Sequence, residues 1–330
     1  MKTENWYSLH IFLHDPEKSE AFLVNRLAPL AQQLKREGRL SGWFFIRYWM
    51  GGPHLRFRFR TADVQLLSSI QQMLKTQVQD YCSDTSLTAQ DYYANHSFDG
   101  EQPAGDSLPW YDEGTVAAIG YEPEYQRYGG EQAIGLSEEL FEQSSQLALA
   151  IIKATPQGPH ARLGLAMPLM VETLTAYTAD LGLAEAFFSG YAAFWETYSS
   201  QNAQLAATQR QSQADPQTLQ LVQRSFPPRT HLQNGQLLQI WQHSVSRFID
   251  SLAAKHEQRA LMSPFDNQPV AETGLEPALL HLLSSQMHML NNRLGLTPSF
   301  ELILSLRIAS AIRTLQQQFK EKDSESLVVA

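Results

Sequence analysis

Residues Trp43–Arg60 read WFFIRYWMGGPHLRFRFR. An aromatic and β-branched run is followed by Gly51-Gly52-Pro53 and then by strict alternation. Side chains along a strand alternate between faces, so Leu55, Phe57 and Phe59 share one face and Arg56, Arg58 and Arg60 the other. The glycine-proline break predicts a β-hairpin over 42–60. Arginine is permanently charged, and its planar fork suits carboxylates and phosphates, so the comb predicts an anion site. The bland alternative is a solvated edge strand whose charges discourage pairing.

Upstream, Tyr7, Leu9, Ile11 and Leu13 alternate with polar and aromatic neighbours, which predicts a strand over 5–14. Asp15-Pro16 supplies an N-cap and first-turn proline for a helix that ends at Gly38. Val64, Leu67, Ile70, Leu74 and Val78 predict a second amphipathic helix over 63–82. Strand, helix, hairpin and helix in this order imply a small sheet with helices packed on one side. From 83 to 115 the pattern weakens into a long glycine- and proline-marked loop, with Asp91-Tyr92-Tyr93 read as an edge strand. A short strand and the tyrosine-rich turn Y-Q-R-Y-G-G (125–130) lead into a helix near 131–154.

Beyond that, helical periodicity runs over 159–182, 184–211, 215–224, 234–260, 275–294 and 298–319, with breaks at Pro227-Pro228 and Pro264–Pro269. The expected fold class is α+β: a small, mainly antiparallel sheet in the first 130 residues against a predominantly helical part over 131–319. A frayed tail is expected over 320–330, and the whole is read as one domain.

Composition narrows the function. The 330 residues carry a net charge of −9, which argues against a general nucleic-acid or anionic-membrane surface. Residues 38–62 nevertheless hold five arginines and no carboxylate, so the positive charge is local. One cysteine, Cys82, excludes a disulfide framework. No secretory signal and no apolar run of membrane-spanning length is present, so a cytoplasmic protein is expected. Phosphate-binding glycine loops, a serine nucleophile elbow and metal-ligand spacing are absent from the sequence, and no metal or cofactor is expected. Glu138, Glu139 and Glu142 read as a solvated helix face.

Two further residues stand out. Arg127 sits in the tyrosine turn, and His288 lies in S-S-Q-M-H-M-L-N-N-R-L. On a helix His281, Ser284 or Ser285, His288 and Asn291 or Asn292 line one side. A turn arginine stacked on tyrosine and a satisfied core histidine are the plain readings of these two.

Taken together, W-F-F-I-R-Y with H-L-R-F-R-F, then Y-x-R-Y-G-G, then H-M-x-x-N-R-L resemble the glutamate-elimination domain of the lantibiotic dehydratases. That domain also occurs stand-alone in thiopeptide-type bacteriocin biosynthesis. The resemblance runs from about Trp6 to about Ile312. It implies elimination of glutamate from glutamylated Ser or Thr of a precursor peptide, giving dehydroalanine or dehydrobutyrine. A separate glutamylation protein would use glutamyl-tRNA to make the ester, since the large glutamylating region is missing from this sequence. It also implies Arg58, Arg127 and His288 as catalytic residues and Arg56, His54, Tyr128, Asn292 and Arg293 as substrate-binding ones, with a possible homodimer.

The chemistry fits these residue types. An enolate and a departing carboxylate need fixed positive charge; a charge pair at about 4 Å contributes roughly 4 kcal/mol at an effective dielectric near 20. Histidine, whose unperturbed pKa lies near neutrality, suits proton transfer. Two alternatives come from the same resemblance: the aza-cycloaddition that builds a thiopeptide pyridine, and a non-catalytic leader-peptide scaffold. The 83–114 insertion suggests a peptide-binding lip or lid.

Overall fold

The computed structural model describes residues 4–83, 87–94, 108–226 and 235–328, with side chains up to 321. Four antiparallel strands form one sheet in the order β2-β3-β1-β4: β1 (Asn5–Phe12), β2 (Gly42–Tyr48), β3 (His54–Thr61) and β4 (Val116–Ala118). The α+β architecture is therefore as the sequence implies. β3 is an interior strand between β2 and β1, so its arginines are not an edge-strand device.

Register fixes both faces. Phe57 pairs with Phe45 and Leu9, and Phe59 with Trp43 and Tyr7, giving an apolar face buried in the core with Phe22, Leu27, Ile70 and Leu74. On the other face Arg58 pairs with Phe44 and Ser8, and Arg56 with Ile46 and His10. Helices cover this face too, contrary to the one-sided packing expected. Phe141 on α5 (Ile134–Ala154) meets Phe44 with ring centroids 5.2 Å apart, and the Ser145 hydroxyl accepts from the Phe45 amide. A sheet with two covered faces needs apolar groups on both, which Phe44 and Ile46 supply.

The first helical segment keeps its predicted cap, Asp15 accepting from the Glu17 and Lys18 amides. It comprises α1 (Pro16–Phe22) and α2 (Ala28–Arg36), joined by a π turn over Leu23–Leu27. Within α3 (Val64–Gln77) the buried positions are Leu66, Ile70 and Leu74, whereas Val64 is 67 % exposed. Asp91-Tyr92-Tyr93 is helical, in α4 (Ala89–Ala94), rather than an edge strand. The cause is local: the Thr88 hydroxyl donates to Asp91 Oδ2 at 2.6 Å and accepts from the Asp91 amide at 3.1 Å, a reciprocal cap.

The helical part continues with α6 (Pro159–Thr175), α7 (Leu181–Glu196), α8 (Ser200–Arg210), α9 (Pro216–Ser225) and α10 (Gln236–Glu257). It ends with α11 (Leu275–Leu294) and α12 (Pro298–Val328). The span expected as one helix over 184–211 divides at the Ser199 N-cap. α12 stays helical past Lys320, where fraying was expected. Pro227-Pro228 and half of the 83–114 insertion lie outside the described residues. Its described ends grip the hairpin turn: Tyr93 Oη accepts from the Gly51 amide and donates to Pro109 O, and Tyr111 N donates to Gly51 O. Among the described residues no helix is long and apolar enough to cross a membrane.

Candidate functional site

The arginine face of the hairpin opens into a cleft of about 1220 Å³. Arg56 and Arg58 line it from β3, Glu124 and Arg127 from the tyrosine turn, and His281, Ser284, Ser285, His288 and Asn292 from α11. An aromatic wall from α7 and Tyr198 just after it, with Phe187, Tyr191, Phe194 and Trp195, completes the lining. The structure thus gathers the three residues proposed as catalytic from positions 58, 127 and 288 into one cavity.

Each is held differently. Arg58 is buried, its guanidinium carbon 4.4 Å from the Tyr121 ring centroid and 5.6 Å from that of Phe44. Burial lowers its pKa. Arg56 stacks on Tyr48 at 3.3 Å, and burial, with repulsion from Arg58 among the smaller causes, pushes its pKa down to about 10. Both remain cationic near neutral pH. Arg127 donates Nε to the Ser285 hydroxyl and pairs with Glu124 at 3.3 Å; burial opposes its charge, but Tyr128 and Glu124 outweigh it and raise the pKa. The comb's third member, Arg60, lies outside the cleft and pairs with Glu4.

The turn that carries Arg127 is built from glycine. Gly129 and Gly130 have φ of +85° and +93°, and a methyl on Gly130 would sit 2.5 Å from Met262 Cγ. Met262 N closes the contact by donating to Gly129 O.

His288 has a partner that the sequence reading did not name. Its Nδ1 lies 2.8 Å from Glu301 Oε1. Glu301 has no exposed surface, and its other oxygen accepts from the Tyr191 hydroxyl and from Asn291 Nδ2. A carboxylate only accepts, so Nδ1 carries the hydrogen and Nε2 is the free acceptor. The Trp195 ring packs against the imidazole at 4.8 Å. Burial, with the Glu301 charge, raises the Tyr191 pKa well above its ordinary value. Two signals in the sequence bear on Glu301. It lies in the first turn of a helix begun by Pro298, where a carboxylate is favoured, and left-handed Gly295 turns the chain back on α11.

The residues expected to bind substrate divide. Asn292 lines the cleft, but its amide accepts from Arg47 N and donates to Arg47 O, both at 2.9 Å, tying α11 to β2. Arg293 is fully buried, donating to the Ser145 hydroxyl and Met289 O. Tyr128 is buried against Phe141, and burial pushes its pKa to about 12. His54 is buried behind Arg56, its Nδ1 2.8 Å from Gly52 O. None of these last three lines the cavity. His281 does, with a pKa lowered by burial and by Arg127.

Of the three glutamates read as a solvated face, Glu139 is exposed but the other two are not. Glu138 is buried and accepts from Trp6 Nε1 at 2.8 Å, and burial raises its pKa; Glu142 pairs with Lys35. Helical periodicity placed them on one side but could not say that β1 and the first helices pack there.

Several solved structures share this fold. The crystal structure of TsrL is 18% identical, with a TM-score of 0.67, 94% of this chain and 95% of that chain being covered. TbtD, the pyridine synthase of thiomuracin biosynthesis, is 18% identical with a TM-score of 0.71 over 93% of this chain and 97% of that one. The tRNA-dependent lantibiotic dehydratase MibB from Microbispora sp. 107891 is 19% identical with a TM-score of 0.50. It covers 95% of this chain but 28% of its own length. A comparison with curated protein sequences returned no match. The family described as Lantibiotic biosynthesis dehydratase C-term matches residues 6–312, and the chain, whose motifs converge on this one cleft, belongs to that family.

Proposed function

We propose that the chain is a lyase that eliminates glutamate from glutamylated Ser or Thr side chains of a ribosomally made precursor peptide. The observation that carries this is the convergence of Arg56, Arg58, Arg127 and His288 in one cleft. In the proposed step His288 Nε2 takes the α-proton. The electron pair forms the Cα–Cβ double bond and the Cβ–O bond breaks, releasing glutamate through its ester carboxylate. Negative charge develops on the peptide carbonyl and on the leaving group, which the arginines face. The imidazolium that forms is stabilised by Glu301. Dehydroalanine results from Ser and dehydrobutyrine from Thr. The ester is supplied by a separate tRNA-dependent glutamylating protein, so the direct partner is the precursor peptide.

The decisive assay supplies a peptide bearing a glutamyl ester on Ser and follows its mass. Loss of glutamate with appearance of dehydroalanine is expected. Intact ester, with ring closure on a bis-dehydroalanine peptide, would instead assign pyridine-forming cycloaddition, and binding without turnover would assign a scaffold. Within this assay Arg58→Ala is expected to slow elimination by roughly 100-fold, the usual cost of one preorganised donor to a developing anion. Glutamylated peptide should accumulate while the melting temperature stays close to wild type. Elimination at the wild-type rate would remove Arg58 from the site.

A further inference from the structure

Most buried or half-buried arginines of this chain are committed to protein acceptors. Arg47 and Arg162 share Glu20, Arg60 pairs with Glu4, and Arg293 holds Ser145 and Met289 O. Arg56 and Arg58, like Arg293, form no ion pair among the described residues, but unlike Arg293 they line the cleft. Each lies on a tyrosine ring instead, Arg56 at 3.3 Å from the Tyr48 centroid and Arg58 at 4.4 Å from that of Tyr121.

The two rings are themselves fixed. Tyr48 ends β2, directly opposite His54 in the hairpin register. The Tyr121 ring packs edge-on against Trp6 and Phe44, and its hydroxyl is hydrogen-bonded to Glu138. One edge of Arg56 is also fixed, because its Nε donates to His54 Nε2 at 3.3 Å. With Nδ1 facing Gly52 O, His54 is a neutral acceptor, and burial holds its pKa down to about 3. Arg58 Nε is buried with no hydrogen-bond partner.

An aromatic face attracts a guanidinium without neutralising it or occupying its N–H edge. A carboxylate in the same place would fill the fork and compete with an incoming anion. We propose that Tyr48 and Tyr121 are positioning residues, which hold Arg56 and Arg58 by their faces and leave both guanidiniums without a carboxylate partner, ready for a carboxylate ligand. On the function proposed above, that ligand is the free carboxylate of the glutamyl group.

Glutarate is the probe, because it carries the same carboxylate and needs no turnover. It is titrated calorimetrically into the full chain and into Tyr48→Phe, Tyr48→Leu, Tyr121→Phe and Tyr121→Leu. Each leucine variant is expected to bind about tenfold more weakly, the size of a partly desolvated cation–π contact. The phenylalanine variants keep the ring and should bind within about threefold of wild type. Melting curves report folding, and if Tyr121→Leu does not fold, the Tyr48 pair decides.

Leucine variants that bind like wild type would overturn the proposal. So would phenylalanine variants that lose as much as leucine, since the hydroxyl and not the ring would then be responsible, and so would a wild-type chain that does not take up glutarate. If the glutamyl-ester peptide is not turned over but glutarate binding still depends on the rings, the elimination reading fails and the tyrosine assignment stands.

Discussion

Glu301→Gln is expected to slow glutamate elimination by roughly 1000-fold while leaving the chain folded. The carboxylate fixes the hydrogen of His288 on Nδ1 and, in the proposed reaction, would offset the imidazolium charge formed when Nε2 takes a proton. An amide of the same shape removes that charge and can present an N–H to Nδ1, which favours the wrong tautomer. The corresponding change in a serine protease triad, the standard example of this logic, costs about 10⁴ in kcat. The present figure is set lower because the arginines carry part of the charge stabilisation. Because Glu301 acts through His288, the double variant Glu301→Gln/His288→Ala should be no slower than His288→Ala alone. Single-turnover rates on the glutamylated peptide check this. Additive losses would show that Glu301 serves some purpose other than orienting His288.

The second large effect concerns stability. Glu20 on α1 accepts from Arg47 Nη2 and from Arg162 Nη1, both at 2.8 Å, and pairs again with Arg162 Nη2. Arg162 has no exposed surface and also donates to Leu294 O, the last residue of α11. One carboxylate therefore joins α1, β2, α6 and the end of α11. Glu20→Ala leaves Arg162 buried without its counter-ion, which costs about 3–5 kcal/mol for such a pair. Glu20 itself is about a fifth exposed, so water relieves part of this and the lower end is expected.

The pH dependence follows from the sign of the shift. Burial raises the Glu20 pKa, but Arg162 and Arg47 outweigh it and lower the net value. The stabilisation is therefore present above the ordinary carboxylate pKa near 4.5 and is lost as pH falls through the folded value. Urea unfolding at pH 7 measures the loss. A change below 1 kcal/mol would mean that Arg162 finds another acceptor.

Much of this site was legible because its chemistry is written in local pattern. The alternation of Leu55, Phe57 and Phe59 with Arg56, Arg58 and Arg60 fixed which groups share a face, and the register bears it out. The glycine pair at 129–130 marked the turn that presents Arg127. Spacing on α11 identified the side with His281, Ser284, Ser285, His288 and Asn292, all of which line the cleft.

What stayed hidden depends on which surface each helix side meets. Asn291 was grouped with Asn292, yet Asn291 turns to Glu301 while Asn292 pairs with the Arg47 backbone. Arg293 carries the charge expected of a substrate ligand but sits beneath the floor, between Ser145 and Phe141. Glu301 is thirteen residues from His288 across a turn, beyond any helical period. Tyr121 stacks on Arg58 from a segment with no regular structure, so periodicity had no purchase on it.

The Asn292 amide has one more consequence. By pairing with both backbone groups of Arg47 it anchors the α11 backbone to the strand that neighbours Arg56 and Arg58. The plane of the His288 ring is set elsewhere, by Glu301 on α12 and by Trp195 on α7, two helices packed on each other. Location and tilt of the imidazole are thus set by different elements, β2 on one side and the α7–α12 pair on the other. The strand contact locates the imidazole while the α7–α12 pair orients its ring, so a change in either pairing would be felt at a different coordinate of the same side chain.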